Sequence, residues 1–505
     1  MPVWNFVRKS FYQDSVTLMR LSRDLEAVEG VSLAAAMMGT GANLALLRAA
    51  GLLAADFETA EPADLVIAVS ATGAGAAERA RAAAEAALAA PRPRNAGAAA
   101  TAPRTLASAL QALPAATLAL VSVPGAYAGA EAMKALRAGL HVMVFSDHVP
   151  VETEIALKRA ALERGRFMLG PDCGTAIIDG VPLGFANVLP RGRVGIAAAS
   201  GTGLQEVACL LAAAGEGVSQ AIGVGGRDCS DAVGGLMMSR ALAALGDDPD
   251  TRVVCLVGKP PAPAVTLRLA GEAARLGKPC VAHFTGGAVP GGAWHVAATL
   301  EDTALAAAAL ARGERPAPAD FTAAAGDVAR VVEESTAGLA RGQRFVRGVY
   351  SGGTLAWEAV TILASALDQV TPGVAGGGDG HRVVDLGDDA FTAGRPHPMI
   401  DGRVRREWIE REGRDPGTAV LLLDVVLGHG AHADPVAELL PAIDAVRTAT
   451  RVAVVASVCG TDRDPQNRAT QVHALRARGV TVMPSNAQAA RLAARIAARA
   501  GKADR

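Results

Sequence analysis

Aromatic residues make up only 3% of this 505-residue chain, so few flat rings are present to stack nucleic-acid bases. Basic and acidic side chains number 49 and 50, a net charge of −1, which excludes the basic field that attracts nucleic acid or an anionic membrane surface. The six cysteines, Cys173, Cys209, Cys229, Cys255, Cys280 and Cys459, include no CxxC pair. That argues against both a zinc site and a disulfide framework, and for a reducing compartment. No uninterrupted apolar run approaches the roughly 18 residues that suggest a membrane span, and the opening MPVWNFVRKSFYQDS has neither the apolar stretch nor the cleavage site of a signal peptide. A cytoplasmic protein is expected, with no metal site and no nucleic-acid or membrane partner.

What the chain does have is small apolar residues and glycine. Half of it is hydrophobic and 56 residues are glycine, the profile of parallel sheets covered by alanine-rich helices. The run Val194–Ala199 ends in Ser200-Gly201-Thr202-Gly203 and is followed by an apolar helical pattern from Leu204. A glycine-rich elbow therefore sits where a buried strand becomes a helix. The first N–H groups of a helix lack intrahelical partners and glycine lets an anion approach them, so Ser200, Gly201, Thr202 and Gly203 are candidates to bind phosphate. Similar elbows recur at IGVGGRD (Gly225, Gly226, Arg227), VDLGDD (Gly387, Asp388, Asp389) and LLLDVVLGHGAHAD (Gly428, His429, Gly430). Ligands of open α/β sheets collect at the carboxyl ends of strands, so these turns suggest one composite site for a compact anionic substrate.

The organisation follows the alternation of strand and helix patterns. At roughly 150 residues per domain the length suggests two to four domains. A first unit, 1–189, is expected to be Rossmann-like, with strands near Leu65–Ser70, Leu118–Val123, His141–Phe145 and Phe167–Leu169 in one mostly parallel sheet. A second, 190–313, carries strands near Val194–Ala199, Gln220–Val224, Val253–Val257 and Cys280–Phe284. A linker with a polar helical segment spans 314–344. The third unit, 345–505, repeats the flavodoxin-like layout with strands near Arg382–Asp385, Ala419–Val425, Val452–Val458 and Val480–Pro484. The fold class is α/β, three doubly wound domains. The stretch Ala90–Arg104, rich in Pro, Ala and Gly, is read as an exposed insertion.

Several polar residues lie at strand ends. Arg395 can pair bidentately with a carboxylate or phosphate and His397 can move a proton near neutral pH; the alternative for both is a solvated loop. In GPDCGT, Asp172 and Thr175 direct polar groups toward their own turn, while Cys173 is either a nucleophile or a small buried apolar residue. His429 and His432 bracket a turn as structural caps or ligand contacts, and His283 reads as core. Asp388 and Asp389 either cap a helix, accept hydrogen bonds from a substrate amide, or hold Mg²⁺.

The motifs GPDCGT, SGTGLQE, AGEGVSQAIGVGGRD, SGGTLA, DLGDD, GRPHPMID, LLLDVVLGHGAHADP and GTDRDPQ resemble, in order and spacing, the FdrA family, and the resemblance runs from Val7 nearly to the C-terminus. That family is similar to succinyl-CoA synthetases: the first two units look like the α subunit, with its CoA-binding domain, and the third like the C-terminal domain of the β subunit, without an ATP-grasp domain. The resemblance implies a component of oxamate carbamoyltransferase, which interconverts oxalurate plus phosphate with oxamate plus carbamoyl phosphate in allantoin breakdown, as an oligomer with companion subunits. It further implies that Ser200-Gly201-Thr202 and Gly387-Asp388-Asp389 are the two elbows facing each other across the anion. Ser351, Gly352, Gly353 and Thr354, with Gly428–Gly430, would hold the organic acid. The Gly-His-Ala-Gly loop that carries phosphohistidine in the synthetases is absent from Thr285–Asp302, where His295 stands in an unrelated context. The expected mechanism is direct phosphorolysis of oxalurate, with Arg395 and His397 as catalytic residues and no cofactor required. The alternatives are a CoA-dependent acyl ligase or transferase acting with a separate nucleotide-binding subunit, and a non-catalytic scaffold; CoA and Mg²⁺ are candidate cofactors, and Met38–Asn43 is either a CoA-binding turn or a helix-capping turn with Thr40 or Asn43 as local hydrogen-bond formers.

Overall fold

The computed structural model describes residues 1–11, 13, 15–54, 57, 60–89, 103–287, 291–318, 320–373, 380–392 and 396–503. The chain divides into two compact units, Met1–Ala102 with Thr392–Pro396, and Pro103–Phe391 with His397–Arg505. Among the described residues the strands form four sheets.

The first unit is built on an antiparallel sheet. Strands β1 (Val3–Arg8) and β2 (Val31–Met38) flank β3 (Leu65–Ala71), and both run against it. Helices Ser15–Glu26 and Ala74–Ala89 bury Leu18, Leu21, Leu25, Ala77 and Ala80 on Leu65, Ile67 and Val69. Leu65–Ala71 therefore does not join the later parallel strands as expected for a single unit over 1–189. It is fully paired on both sides by strands whose registers leave no open edge for them. The Met38–Asn43 turn belongs to this antiparallel unit. There Thr40 Oγ1 accepts from Asn43 N at 3.3 Å and Asn43 Nδ2 donates to the Met38 carbonyl at 2.8 Å, which makes it a helix-capping turn. The Ala90–Arg104 insertion lies almost wholly outside the described residues.

The second unit is mostly parallel α/β. A small parallel sheet holds β4 (Leu118–Val121), β5 (His141–Val144) and β6 (Met168–Leu169). A larger seven-stranded sheet contains β7 (Thr175–Ile178), β8 (Val181–Gly184), β9 (Arg191–Ala199), β10 (Val218–Gly223), β11 (Val253–Gly258), β12 (Cys280–Phe284) and β13 (His295–Val296), in the order β13-β12-β11-β9-β10-β7-β8. Its β7–β8 hairpin is antiparallel, turning at Asp179-Gly180 with both residues at positive φ. The hairpin precedes residue 190, so the sheet begins before the expected boundary.

The third layer is a six-stranded, wholly parallel sheet of β14 (Phe345–Tyr350), β15 (Val370–Pro372), β16 (His381–Asp385), β17 (Thr418–Val426), β18 (Ala453–Cys459) and β19 (Thr481–Met483), in the order β15-β16-β14-β17-β18-β19. Strand β17 is buried along its whole length, which is why its sequence is apolar but for Thr418 and Asp424. One hydrophobic cluster joins the two large sheets, combining Val194, Ile196 and Leu204 with Val346, Tyr350, Leu355 and Leu422. The C-terminal helix Asn486–Ala503 contributes Ala489, Leu492 and Ile496 to the same core. Among the described residues no helix is long and apolar enough to cross a membrane.

Candidate functional site

Strand β9 ends at Ala199, and Ser200 adopts an extended conformation that starts the helix Gly201–Ala213. Ser200 Oγ accepts from Gly203 N at 2.9 Å, a serine N-cap that leaves the Gly201 and Thr202 N–H groups without a partner among the described residues. Strand β14 ends at Tyr350 and turns into the helix Gly353–Ala366, whose N-cap Gly352 supplies no side chain. The N–H groups of Gly353, Thr354 and Leu355 are likewise without partners among the described residues. The two helix starts meet: Ser200 Oγ and Thr354 Oγ1 share a hydrogen bond of 2.5 Å. A methyl added to Gly203 would lie 3.1 Å from Thr354 Cγ2, and one on Gly352 3.1 Å from Thr202 Cγ2, so glycine permits this approach.

The second elbow opposite Ser200 is therefore Gly352-Gly353-Thr354, and not Gly387-Asp388-Asp389 as expected. Asp388 is exposed and accepts from Ala390 N at 3.0 Å, capping the short helix Asp389–Thr392. A cap of four residues offers little dipole to an anion, whereas the Gly353 helix spans fourteen.

The Ser351-Gly352 turn is held from beneath by Asp424, a fully buried carboxylate near the carboxyl end of β17. It accepts from Ser351 N at 2.8 Å, Ser351 Oγ at 3.1 Å and Gly352 N at 2.8 Å. Arg405, also buried, pairs with it at 2.9 Å and donates to the Val349 and Asp424 carbonyls. The carboxylate is thus paired and accepts at both oxygens, which fixes the loop geometry.

Asp385, the last residue of β16, lies beside this helix start. Its Oδ1 accepts from Gly387 N at 2.8 Å, and its Oδ2 would lie 2.7 Å from a methyl on Gly353. Burial pushes its carboxyl up to about 6, helped by Asp424 and Asp388 and opposed by Lys259. Lys259 follows β11, is exposed, and makes no hydrogen bond or ion pair among the described residues. Sequence reasoning missed both residues; their only signal was position just at or after the carboxyl end of an apolar strand.

His397 is drawn to the same loop, its Nε2 2.9 Å from where a methyl on Gly387 would stand. Its Nδ1 accepts from Met399 N at 3.2 Å, and its ring packs on Phe185 at 5.8 Å. Burial, with Arg405 adding to it, lowers its imidazole to about 4. It is neutral at pH 7 with its proton on Nε2, a fixed donor and not the near-neutral proton carrier expected of it. Arg395 lies outside the described residues.

The remaining candidates divide between packing and the site's border. Thr175 Oγ1 donates to the Phe185 carbonyl at 2.7 Å and would lie 3.3 Å from a methyl on Gly201, so it backs the Ser200 elbow. Asp172 is exposed, with φ +52°, near Gly226. Gly225, at φ +90°, packs on Gly170 and Pro171. Arg227 points away from the elbow, pairing with Glu154 at 3.0 Å and donating to the Val149 carbonyl. The same Glu154 and Asp228 enclose the fully buried Lys158 at 2.7 Å each, a structural ion cluster. Gly428 and Gly430, both at positive φ, pack on Ala186 and Phe185, and His429 is exposed while its N–H donates to the Ala186 carbonyl at 2.8 Å. His432 accepts from Asp434 N through Nδ1 at 3.1 Å and caps its own turn. Cys173 is buried and burial pushes its thiol up to about 12, which makes it an apolar filler. His283 bonds Ala297 and Thr285 in the core, and His295 is exposed on β13.

The two elbows stand at helix starts on two large α/β sheets, and part of the chain that carries them is similar to CoA-ligases. A family model described as CoA-ligase matches residues 349–496, and one described as AllF, heavy metal-associated domain, matches 1–104. The uncharacterized protein YahF of Escherichia coli (strain K12) is 35% identical over 98% of both chains, and the chain belongs to its family. The succinate–CoA ligase [ADP-forming] subunit alpha of Methanothermobacter thermautotrophicus is 30% identical over 34% of this chain and 58% of its own length. Among solved structures, the apo dinucleotide-forming acetyl-coenzyme A synthetase 1 of Ca. Korarchaeum cryptofilum aligns over 76% of this chain and 84% of its own at 16% identity, with a TM-score of 0.31.

A heavy metal does not fit the first unit. Residues 1–104 contain neither cysteine nor histidine, the donors that soft and borderline metals select. The buried Asp64 is already committed to Lys9, Ser10 N and Glu61 N. Among the described residues no group of three His, Cys, Asp or Glu could hold a metal ion.

Proposed function

We propose that the opposed starts of the Gly201 and Gly353 helices bind phosphate, and that the chain is a component of a carbamoyltransferase converting oxalurate and phosphate to oxamate and carbamoyl phosphate. The observation that carries this reading is the pair of helix N-termini, with N–H groups of Gly201, Thr202, Gly353, Thr354 and Leu355 without acceptors among the described residues. Phosphate held there attacks the carbamoyl carbon, the same amides steady the developing oxyanion, and Lys259 supplies a cation from the neighbouring sheet edge. His397, as a neutral donor, orients the substrate carbonyl. The chain would work in the cytoplasm with companion subunits, on small molecules and not on nucleic acid or membranes, and the transfer needs no cofactor.

Similarity to the AllF model over 1–104 favours this reading. The CoA-ligase match over 349–496 favours a second one, an acyl-CoA ligase subunit using CoA and Mg²⁺ with a separate nucleotide-binding partner. Assay of the purified chain, alone and with companion subunits, for carbamoyl phosphate from oxalurate separates them. Phosphate-dependent product supports the transferase. No product, together with a melting temperature raised by millimolar CoA, favours the ligase.

A further inference from the structure

We infer that Asp385 is the acid–base group of this site, shuttling the proton that carbamoyl transfer must move, with Lys259 as its electrostatic partner. The inference rests on the phosphate-binding reading above. Three positions carry it. Asp385 Oδ1 is fixed by Gly387 N, so the carboxyl has a single orientation. Its Oδ2 lies against Gly353, beside the open amides of that helix start, and accepts no hydrogen bond from them among the described residues. Lys259 follows the carboxyl end of β11 on the other large sheet, and its charge opposes the rise of the Asp385 carboxyl.

A carboxylate placed beside amides meant for an anion would repel that anion. A protonated carboxyl there donates to it instead. Burial keeps Asp385 protonated up to about pH 6, so both states are reachable in the physiological range. In the transfer, the oxygen of hydrogen phosphate forms a bond to the carbamoyl carbon as the carbon–nitrogen bond to the oxamate nitrogen breaks. That nitrogen leaves with the electron pair and takes the Asp385 proton, and Asp385 recovers one from the phosphate hydroxyl. No net proton, electron or co-reactant is needed.

Asp385 shares the window between pH 5 and 8 with Glu358 of the Gly353 helix, which burial raises to about 7 but which accepts from Leu300 N and Asn486 Nδ2 in the core. Asp424 is paired with Arg405, and His397 is neutral down to about 4. Asp388 is exposed and caps its own helix, and Lys259 is exposed after β11.

Sulfate tests this in the full chain without companion subunits, because its charge does not change between pH 5 and 8. Calorimetric titration of the wild-type chain is expected to give sulfate affinity at least 10-fold tighter at pH 5 than at pH 8. Asp385→Asn, close in shape and uncharged, should bind with no pH dependence, and Lys259→Gln should weaken binding at every pH while keeping the dependence. With companion subunits present, Asp385→Asn should lower kcat by about 100-fold or more. An Asp385→Asn chain that keeps the wild-type pH dependence and rate overturns the assignment. If the wild-type chain binds neither sulfate nor phosphate at 10 mM concentrations of order, the phosphate-binding reading fails instead. Should Asp385→Asn melt early, Asp385→Glu, which keeps the titration and shifts its reach, serves in its place: retained pH dependence with lowered kcat supports the role, and unchanged kcat overturns it.

Discussion

At the scale of single residues, burial decides what a titratable group can do. His397 looked from sequence like a proton carrier near neutrality, but a ring with its imidazole held at about 4 stays neutral through the working range. His397→Gln keeps an N–H donor, so turnover with the companion subunits should fall by roughly 10-fold, about 1.4 kcal/mol, at every pH from 6 to 9 with an unaltered profile. Its effect on stability has a definite sign. The folded chain resists protonating this histidine while the unfolded chain accepts a proton below about pH 6.5, so wild-type stability is lost as pH falls from 6.5 toward 4. Thermal melts across that window should show a smaller loss for His397→Gln. Equal losses would mean that the ring is not buried in solution. His381, likewise lowered to about 4 by burial and by Arg347, is common to both chains and cancels in the comparison.

At the scale of elements, the site is two helix starts held together by a serine and a threonine. Ser200→Ala removes both the cap on Gly203 N and the bond to Thr354, and should cost about 1–2 kcal/mol in denaturant unfolding. Gly201→Val carries its branched side chain toward Thr175 Oγ1, already 3.3 Å from a bare methyl, and should weaken phosphate binding by about 10-fold or more while the protein stays soluble. Unchanged phosphate affinity in that variant would remove the Ser200 elbow from the site.

How much of these elements could be read from sequence follows from their burial. Strands β9, β11, β12, β17 and β18 announced themselves as apolar runs because helices cover both faces of their sheets. Strand β2 did not, since its Leu-Ala-Ala-Ala-Met-Met run has strong helix propensity and only pairing with β3 makes it extended. The Asp179-Gly180 hairpin was signalled by its turn and passed over. Asp424 stood out as a charge within an apolar strand, which demands a partner, but nothing local named Arg405. Asp385 and Lys259 were the least legible, because their role depends on two sheet edges meeting, and no residue pattern along the chain encodes that distance.

At the scale of the whole molecule, the unit over 1–104 resembles a heavy metal-associated domain without the chemistry of one. Dialysis of the full chain against zinc, and titration with Cu(I) under reducing conditions, should leave no stoichiometric metal on it; one tightly held equivalent that survives removal of the later cysteines and histidines would show that oxygen and thioether donors suffice.

The hydroxyl bridge between Ser200 and Thr354 has a kinetic meaning as well. Both halves of the anion cradle belong to one polypeptide and share one core, so dilution cannot separate them. Each helix start meets the other at an effective concentration fixed by the fold, far above any that two dissociable subunits would reach at cellular levels. On the proposed phosphate-binding reading, phosphate affinity should therefore be the same at nanomolar as at micromolar protein, and the pair of helix starts is never half built.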